Sequence, residues 1–189
     1  MFGLSKAKID YEEIFSSLEK THQHIYGDRS KTVEILGNED FTDAWLNSQN
    51  IIDVCAVILK EAKKGDIPSI KKLIWFYDFF LNEVENKIED KTEQIQIKVK
   101  FLRDRVICCE LAIHLGLKDQ SYFAMTSCAN LYSILSQQHK SMDDSLKKRA
   151  LNGIILFAKR FLESGHDDHE MIENAKNHLK QYTPIALLG

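Results

Sequence analysis

Hydrophobic positions recur three and four residues apart along most of the chain, which is the spacing of one face of an α-helix. The most regular repeat consists of Ile95, Val99, Leu102, Val106, Cys109 and Ile113. The same periodicity predicts helices over about 10–26, 41–64, 66–89, 92–115, 119–140, 143–164 and 167–181. The pattern therefore predicts an all-α protein.

Three glycines divide this helical pattern into segments. Gly65, Gly116 and Gly165 each follow a predicted helix, and they lie roughly 50 residues apart. Glycine is the residue that most often ends a helix, because it adopts positive φ angles without steric cost. The spacing predicts antiparallel helical hairpins, stacked as a short superhelix or as a plain bundle, with about six to eight helices.

The length of 189 residues fits a single helical domain over 1–189. Within that domain we expect an N-terminal helix and loop over 1–40 and helical hairpins over 41–181. A C-terminal tail over 182–189 follows. Its apolar part, Pro184–Leu188, is expected to dock on the body of the protein.

One segment of the chain resembles a known repeat family. The stretch Gly116–Tyr132 carries Asp119, Ala124, Ala129 and the pair Leu131–Tyr132 in the arrangement of the first helix of a tetratricopeptide or Sel1-like repeat. The stretch from Gly65 to Tyr77 is similar to the same helix. The resemblance implies a superhelix of helix pairs that binds other proteins.

Charge and hydropathy argue against two classes of partner. The formal net charge is -3, and no overall basic footprint of a nucleic-acid-binding protein is present. The longest nearly apolar run, Leu73–Leu81, is too short to cross a bilayer and contains Asp78. No signal-peptide core follows Met1. We therefore expect a cytoplasmic protein that binds neither nucleic acid nor a membrane. A regulatory nucleic-acid binder is a third possibility, which salt-dependent DNA association would reveal.

The four cysteines, Cys55, Cys108, Cys109 and Cys128, all lie in apolar helical patterns. Their spacing matches no metal-binding Cys-x-x-Cys motif. Small buried thiols in a reducing compartment are therefore expected.

An aromatic cluster in the third predicted helix is the most informative feature. Tyr77 and Phe80 join the main apolar face, whereas Trp75 and Phe79 lie on the opposite side, about 40° apart, with Phe76 on a flank. Two interpretations are open. A helix that is apolar on both sides is normally buried between neighbours, but an exposed aromatic patch marks a protein interface. Trp75, Phe76 and Phe79 are therefore the candidate partner-binding residues.

Histidines near the C-terminus raise the alternative of a metal site. His166 and His169 flank Asp167 and Asp168, and His178 follows in the next helix. Imidazole and carboxylate groups bind transition metals. The same acidic residues also fit the N-terminus of a helix, where they cap the helix and the positive end of its dipole stabilises their charges. We therefore expect no cofactor and no metal.

Nucleophile and phosphate-binding motifs such as GxSxG, GxGxxG and HExxH do not occur in the sequence. We expect a non-catalytic protein-protein interaction module, in one form an immunity-type protein that neutralises a toxin by direct binding. A helical metal- or ligand-binding enzyme is the alternative, and a secretion chaperone or adaptor is a second one. Neither the partner nor the oligomeric state follows from the sequence.

The aromatic cluster generates the first testable prediction. If Trp75 and Phe79 form a binding patch, the double variant Trp75→Ala and Phe79→Ala loses partner binding while its melting temperature stays unchanged. If they lie in the core, the variant loses several kcal/mol of stability, about 3–5 kcal/mol for each large aromatic removed. Thermal unfolding and a pull-down, each carried out with the wild type and with the double variant, distinguish the two interpretations.

Overall fold

The computed structural model describes residue 61, residues 64–137 and residues 144–188 of the chain. Every regular element within these ranges is an α-helix. The helices are α1 (Ile67–Lys87), α2 (Lys91–His114), α3 (Gln120–Gln137), α4 (Asp144–Leu162) and α5 (His169–Leu188). The predicted all-α fold is confirmed. The helices predicted over 10–26 and 41–64 lie outside the described residues, apart from Glu61 and Lys64.

Contacts divide the described chain between Ile97 and Lys98 into two compact units. The first contains α1 and the start of α2, and the second contains the rest of α2 together with α3, α4 and α5. That the whole chain behaves as one domain stays a prediction.

Helix α1 begins where the sequence predicts. The Asp66 carboxylate accepts a hydrogen bond from the Ser69 backbone N–H at 2.9 Å, and Pro68 occupies the first turn. Proline is well tolerated there because the first turn needs no backbone donor. The described side chains on the buried face of α1 are Ile70, Ile74, Tyr77 and Val84, and Ile88 just after the helix is buried as well. The side chain of Gln94 in α2 donates to the Ile88 carbonyl and so bridges the turn between the two helices.

All three predicted stop glycines have positive φ angles, which are 85° at Gly65, 98° at Gly116 and 76° at Gly165. After α2, the Leu117 N–H bonds back to the Ala112 carbonyl at 3.0 Å. This wrapped-back hydrogen bond is typical of helices that end in a left-handed glycine. The ends of α2 and α4 were therefore correctly predicted from Gly116 and Gly165.

Helix α4 forms the centre of the second unit, because it packs against both α3 and α5. Its buried face consists of Ala150, Leu151, Gly153, Ile154, Phe157, Ala158 and Phe161. The ring of Tyr122, near the start of α3, contacts Phe161 near the end of α4 with centroids 5.3 Å apart. At the other end, Lys147 of α4 lies over the ring of Tyr132 of α3. Helices α3 and α4 are therefore antiparallel.

The C-terminal segment differs from the expectation. Helix α5 continues past Gln181 to Leu188, with Pro184 inside it. Leu187 and Leu188 are 81% and 90% exposed, so the expectation that this tail docks on the body was wrong. The physical reason is that the helical pattern does not stop at the proline. Leu179, Tyr182 and Ala186 are half-buried and continue the inward face that Ala175 begins.

The described cysteines agree with the prediction. Cys108, Cys109 and Cys128 are buried, and burial raises the pKa of Cys108 and of Cys128 well above the ordinary range of a thiol. Cys55 lies outside the described residues. Within the described ranges, no helix is both long enough and apolar enough to cross a membrane.

The central position of α4 generates a stability prediction. Phe157 is fully buried, and Phe157→Ala should lower the free energy of unfolding by about 3–5 kcal/mol, because it removes a large apolar contact and leaves a cavity. Asn152→Ala, an exposed position on the same helix, should change it by less than about 0.5 kcal/mol. Urea denaturation measures both, and equal effects of the two changes would contradict the central role of α4.

Candidate functional site

The last turn of α5 exposes large apolar side chains. In the described part of the chain, the exposed large hydrophobic residues are Leu115, Ile185, Leu187 and Leu188, and all but Leu115 lie in this turn. Ile185 is 39% exposed and the two leucines far more. We call Ile185, Leu187 and Leu188 the apolar end of α5. Grouped exposed apolar side chains of this kind are typical of interaction surfaces.

Pro184 does not stop the helix, because the backbone interruption falls on its exposed side. A proline inside a helix removes the hydrogen bond to the carbonyl four residues earlier, here that of Lys180. Both Pro184 and Lys180 are exposed, so water has access to this side of the helix. The inward side is held by Tyr182, which packs on α3. The apolar end is therefore presented by a helix anchored one turn earlier.

Aromatic contacts connect the apolar end to α3 and α4. Tyr182 packs edge-on against Tyr132 with ring centroids 5.6 Å apart, and His178 stacks on Tyr182 at 5.8 Å. The Lys147 ammonium lies 5.7 Å from the centre of the Tyr132 ring, a favourable cation-π position. Ile185 lies three residues after Tyr182 on the same helical face. Contacts therefore join α4, α3 and α5 one turn before the apolar end.

The charged side chains in the second half of α5 are positive. After Glu173 the sequence of α5 contains Lys176, His178 and Lys180 and no acidic residue. Lys176 lies 3.7 Å from Glu173 in an exposed pair, which adds little stability. Lys180 is exposed and precedes Leu187 by seven residues, which places both on one side of the helix. The first turn of α4 carries charges of both signs, since the exposed Asp144 lies three residues before Lys147.

The opposite end of the same helix is acidic. The Asp168 carboxylate accepts the Met171 N–H at 3.0 Å, and Glu170 lies in the first turn. Both negative charges are stabilised by the positive end of the helix dipole. Burial raises the pKa of Tyr122 on α3, and the negative charges of Glu170 and Asp168 raise it further. These acids therefore serve helix capping, as one reading of the sequence proposed.

The three candidate metal ligands are separated in the structure. His166 Nδ1 accepts the Asp168 N–H at 3.2 Å, His169 is exposed at the start of α5, and His178 Nδ1 donates to the Asn174 carbonyl at 2.9 Å. Among the residues that the structure describes, no three His, Cys, Asp or Glu side chains are grouped so that they could hold a metal ion. Two of the three histidines instead make local hydrogen bonds.

Trp75, Phe76 and Phe79 lie on α1, but their side chains are outside the described part of the structure. Their role as core or surface residues stays a prediction. The apolar end of α5 was missed as a binding candidate, because the helix was predicted to end near Gln181 and the tail after it to dock on the body. The signal that could have revealed it is the absence of acidic residues after Glu173 together with the run Ile185–Leu188.

Three charged residues, Asp104, Arg105 and Glu110, are buried inside the second unit. Arg105 donates a hydrogen bond to the Ser127 hydroxyl at 2.6 Å and lies over the Phe123 ring, so it joins α2 to α3. Glu110 is 5% exposed, and its Oε2 has no hydrogen-bond partner among the residues that the structure describes. Burial raises the pKa of Glu110, and the positive charges of Arg160, His114 and Arg149 oppose that rise.

Comparison of the chain with family models, with curated proteins and with solved structures gives no match. The resemblance to tetratricopeptide repeats therefore depends on the residues alone.

The buried carboxyl generates a prediction of pH dependence. Because the pKa of Glu110 is raised in the folded state, its contribution to stability is complete below the pKa of the unfolded chain, about 4.3. That contribution is lost as the pH rises through the folded-state value. We expect Glu110→Gln to be more stable than the wild type at about pH 8 and to lose this advantage near pH 4.

The control for this prediction is Glu163→Gln, which changes an exposed carboxyl directly after α4. Its effect on the free energy of unfolding should be small at both pH values. Urea denaturation of the three proteins across the pH range is the measurement. A Glu110→Gln variant whose stability difference from the wild type is independent of pH would contradict a raised pKa of Glu110 in the folded state.

Proposed function

We propose that the chain is a non-catalytic protein-protein interaction module that binds its partner through the apolar end of α5. The observation that carries this proposal is the exposure of Leu187 and Leu188, at 81% and 90%, beside the half-buried Tyr182. Exposed leucines cost little by themselves, but several of them next to an aromatic anchor form a surface that gains free energy when covered.

The free energy gained when a partner covers these side chains is large enough to matter for binding. Complete burial of one leucine or isoleucine side chain contributes about 1.5–3 kcal/mol. Tyrosine is enriched in the buried centre of interfaces, and Tyr182 lies one turn before the apolar end, packed on Tyr132. The two rings are held by contact with each other, and Lys147 also contacts the Tyr132 ring, so little side-chain entropy of the tyrosines remains to be lost on binding.

The proposal also includes the arrangement of the helices as stacked hairpins. The order of α3, α4 and α5, each packed on its neighbour in sequence, is what antiparallel hairpins stacked as a short superhelix or bundle would produce. A cytoplasmic immunity-type protein that neutralises a toxin by occlusion is one form of this function, since occlusion requires only a surface.

A pull-down with a matched control tests the proposal. Leu187→Ser with Leu188→Ser should abolish capture of the partner from the host lysate, because it removes the exposed apolar surface. The control variant, Asn177→Ser with Gln181→Ser, changes two exposed polar residues of the same helix and should capture the partner as the wild type does. The melting temperatures of both variants should stay within about 2 °C of the wild type.

Three results are decisive. Loss of the partner in the leucine variant alone, with unchanged melting temperature, supports the proposal. Identical captured proteins in all three samples would show that the apolar end of α5 is not the binding surface. A drop of many degrees in the melting temperature of the leucine variant would show that these leucines stabilise the fold, which contradicts their exposure.

A further inference from the structure

We propose that Glu110 and Arg160 form a pH-gated ion pair between α2 and α4, which is open when the Glu110 carboxyl is protonated and closes when it is ionised. Both residues belong to the second unit. The device does not involve the apolar end of α5, so it stands independently of the proposed function.

The first observation is the environment of the Glu110 carboxyl. The residue is 5% exposed, and its Oε2 has no hydrogen-bond partner among the residues that the structure describes. Burial without a partner favours the neutral carboxyl, because the ionised form loses its hydration and gains nothing in return. Ionisation of Glu110 in place therefore requires a cation that pairs with it.

The cation best placed to do so is Arg160, in the last turn of α4. Burial has the largest effect on the pKa of Glu110 and raises it, and Arg160 lowers it more than any other positive charge of the described residues. Arg160 is half-buried, and its guanidinium lies 5.9 Å from the centre of the fully buried Phe157 ring. A charge held against the core is screened less by water than an exposed one.

The other titratable groups near Glu110 fit this role less well. His114 of α2 and Arg149 of α4 also favour ionisation of Glu110, but both are exposed, so water screens their charges. From α3, Cys128 faces the same region. Burial raises the pKa of Cys128, and Cys109 and Glu110 raise it further, so this thiol is neutral and offers no compensating charge.

Arg160 has no competing carboxylate in the described part of the chain. Glu163, three residues later, is exposed and forms no ion pair with it. The contact that holds the guanidinium is the Phe157 ring. A charge-assisted hydrogen bond to a buried carboxylate is stronger than such a cation-π contact. Ionisation of Glu110 therefore draws Arg160 from the ring to the carboxylate, and protonation returns it.

An NMR titration of the full chain tests the proposal. Glutamate side chains are labelled with ¹³C, and the Glu110 carboxyl resonance is identified by its absence in Glu110→Gln. The midpoint of its titration should lie above that of an exposed glutamate. The Arg160 Nε–H resonance should shift with the same midpoint, because the guanidinium changes its partner when Glu110 ionises.

Variants of α4 identify the cation. Arg160→Gln should raise the Glu110 midpoint by about one pH unit or more, a tenfold change in proton affinity, because a paired cation is lost. Arg160→Lys keeps a positive charge and should restore most of the wild-type midpoint. Arg149→Gln and the matched control Lys159→Gln each remove an exposed cation of the same helix, and each should change the midpoint by less than about 0.3 pH units.

A double-mutant cycle distinguishes a gated pair from simple packing. In urea denaturation, the free-energy coupling between Glu110→Gln and Arg160→Gln should be present at about pH 8 and absent near pH 4. Equal coupling at both pH values would assign the two side chains a packing role and overturn the proposal.

The titration can also refute the ion pair directly. An Arg160 resonance that does not respond when Glu110 ionises would show that the guanidinium does not change its partner. A Glu110 midpoint that is unchanged in Arg160→Gln, or that rises equally in Arg149→Gln, would show that Arg160 is not the pairing cation.

Discussion

The packing of α4 between α3 and α5 is the constraint on which the rest of the second unit depends. Five side chains of α4 that recur three and four residues apart are almost completely buried: Ala150, Ile154, Phe157, Ala158 and Phe161. Since they form one continuous stripe, they fix both the rotation of α4 and its position along its neighbours. The contacts of Tyr122 with Phe161 and of Lys147 with Tyr132, at the two ends of this stripe, then fix the position of α3 along α4.

The exposure of the apolar end follows from the side of α5 that faces its neighbours. Tyr182 packs on Tyr132 of α3, and Ala186, one turn later, continues this inward side. At 100° per residue, Leu187 and Leu188 lie about 100° and 200° around the helix from Ala186. The two leucines therefore point away from the inward side, and they are 81% and 90% exposed.

Local signals and long-range packing explain which features could be predicted from the sequence. The ends of α2 and α4 depend on Gly116 and Gly165, whose conformational freedom is a property of the residue itself. The end of α5 was predicted near Gln181, but the helix continues through Pro184, because Tyr182 packs on Tyr132 on the inward side while the interruption at the proline faces water. Burial of Glu110 depends on which helices are its neighbours, and the hydrophobic periodicity of a single helix does not show that.

The positions of the charged residues bear on specificity more than on affinity. Exposed leucines alone would associate with many apolar surfaces, including those of unfolded chains, and would select no particular partner. The charged residues nearby restrict that choice, because a partner that covers the leucines must also fit the charges around them. The Lys147 ammonium lies over the Tyr132 ring, so the fold already holds it in position. A group that pairs with Lys147 therefore meets a cation whose ordering cost is already partly met.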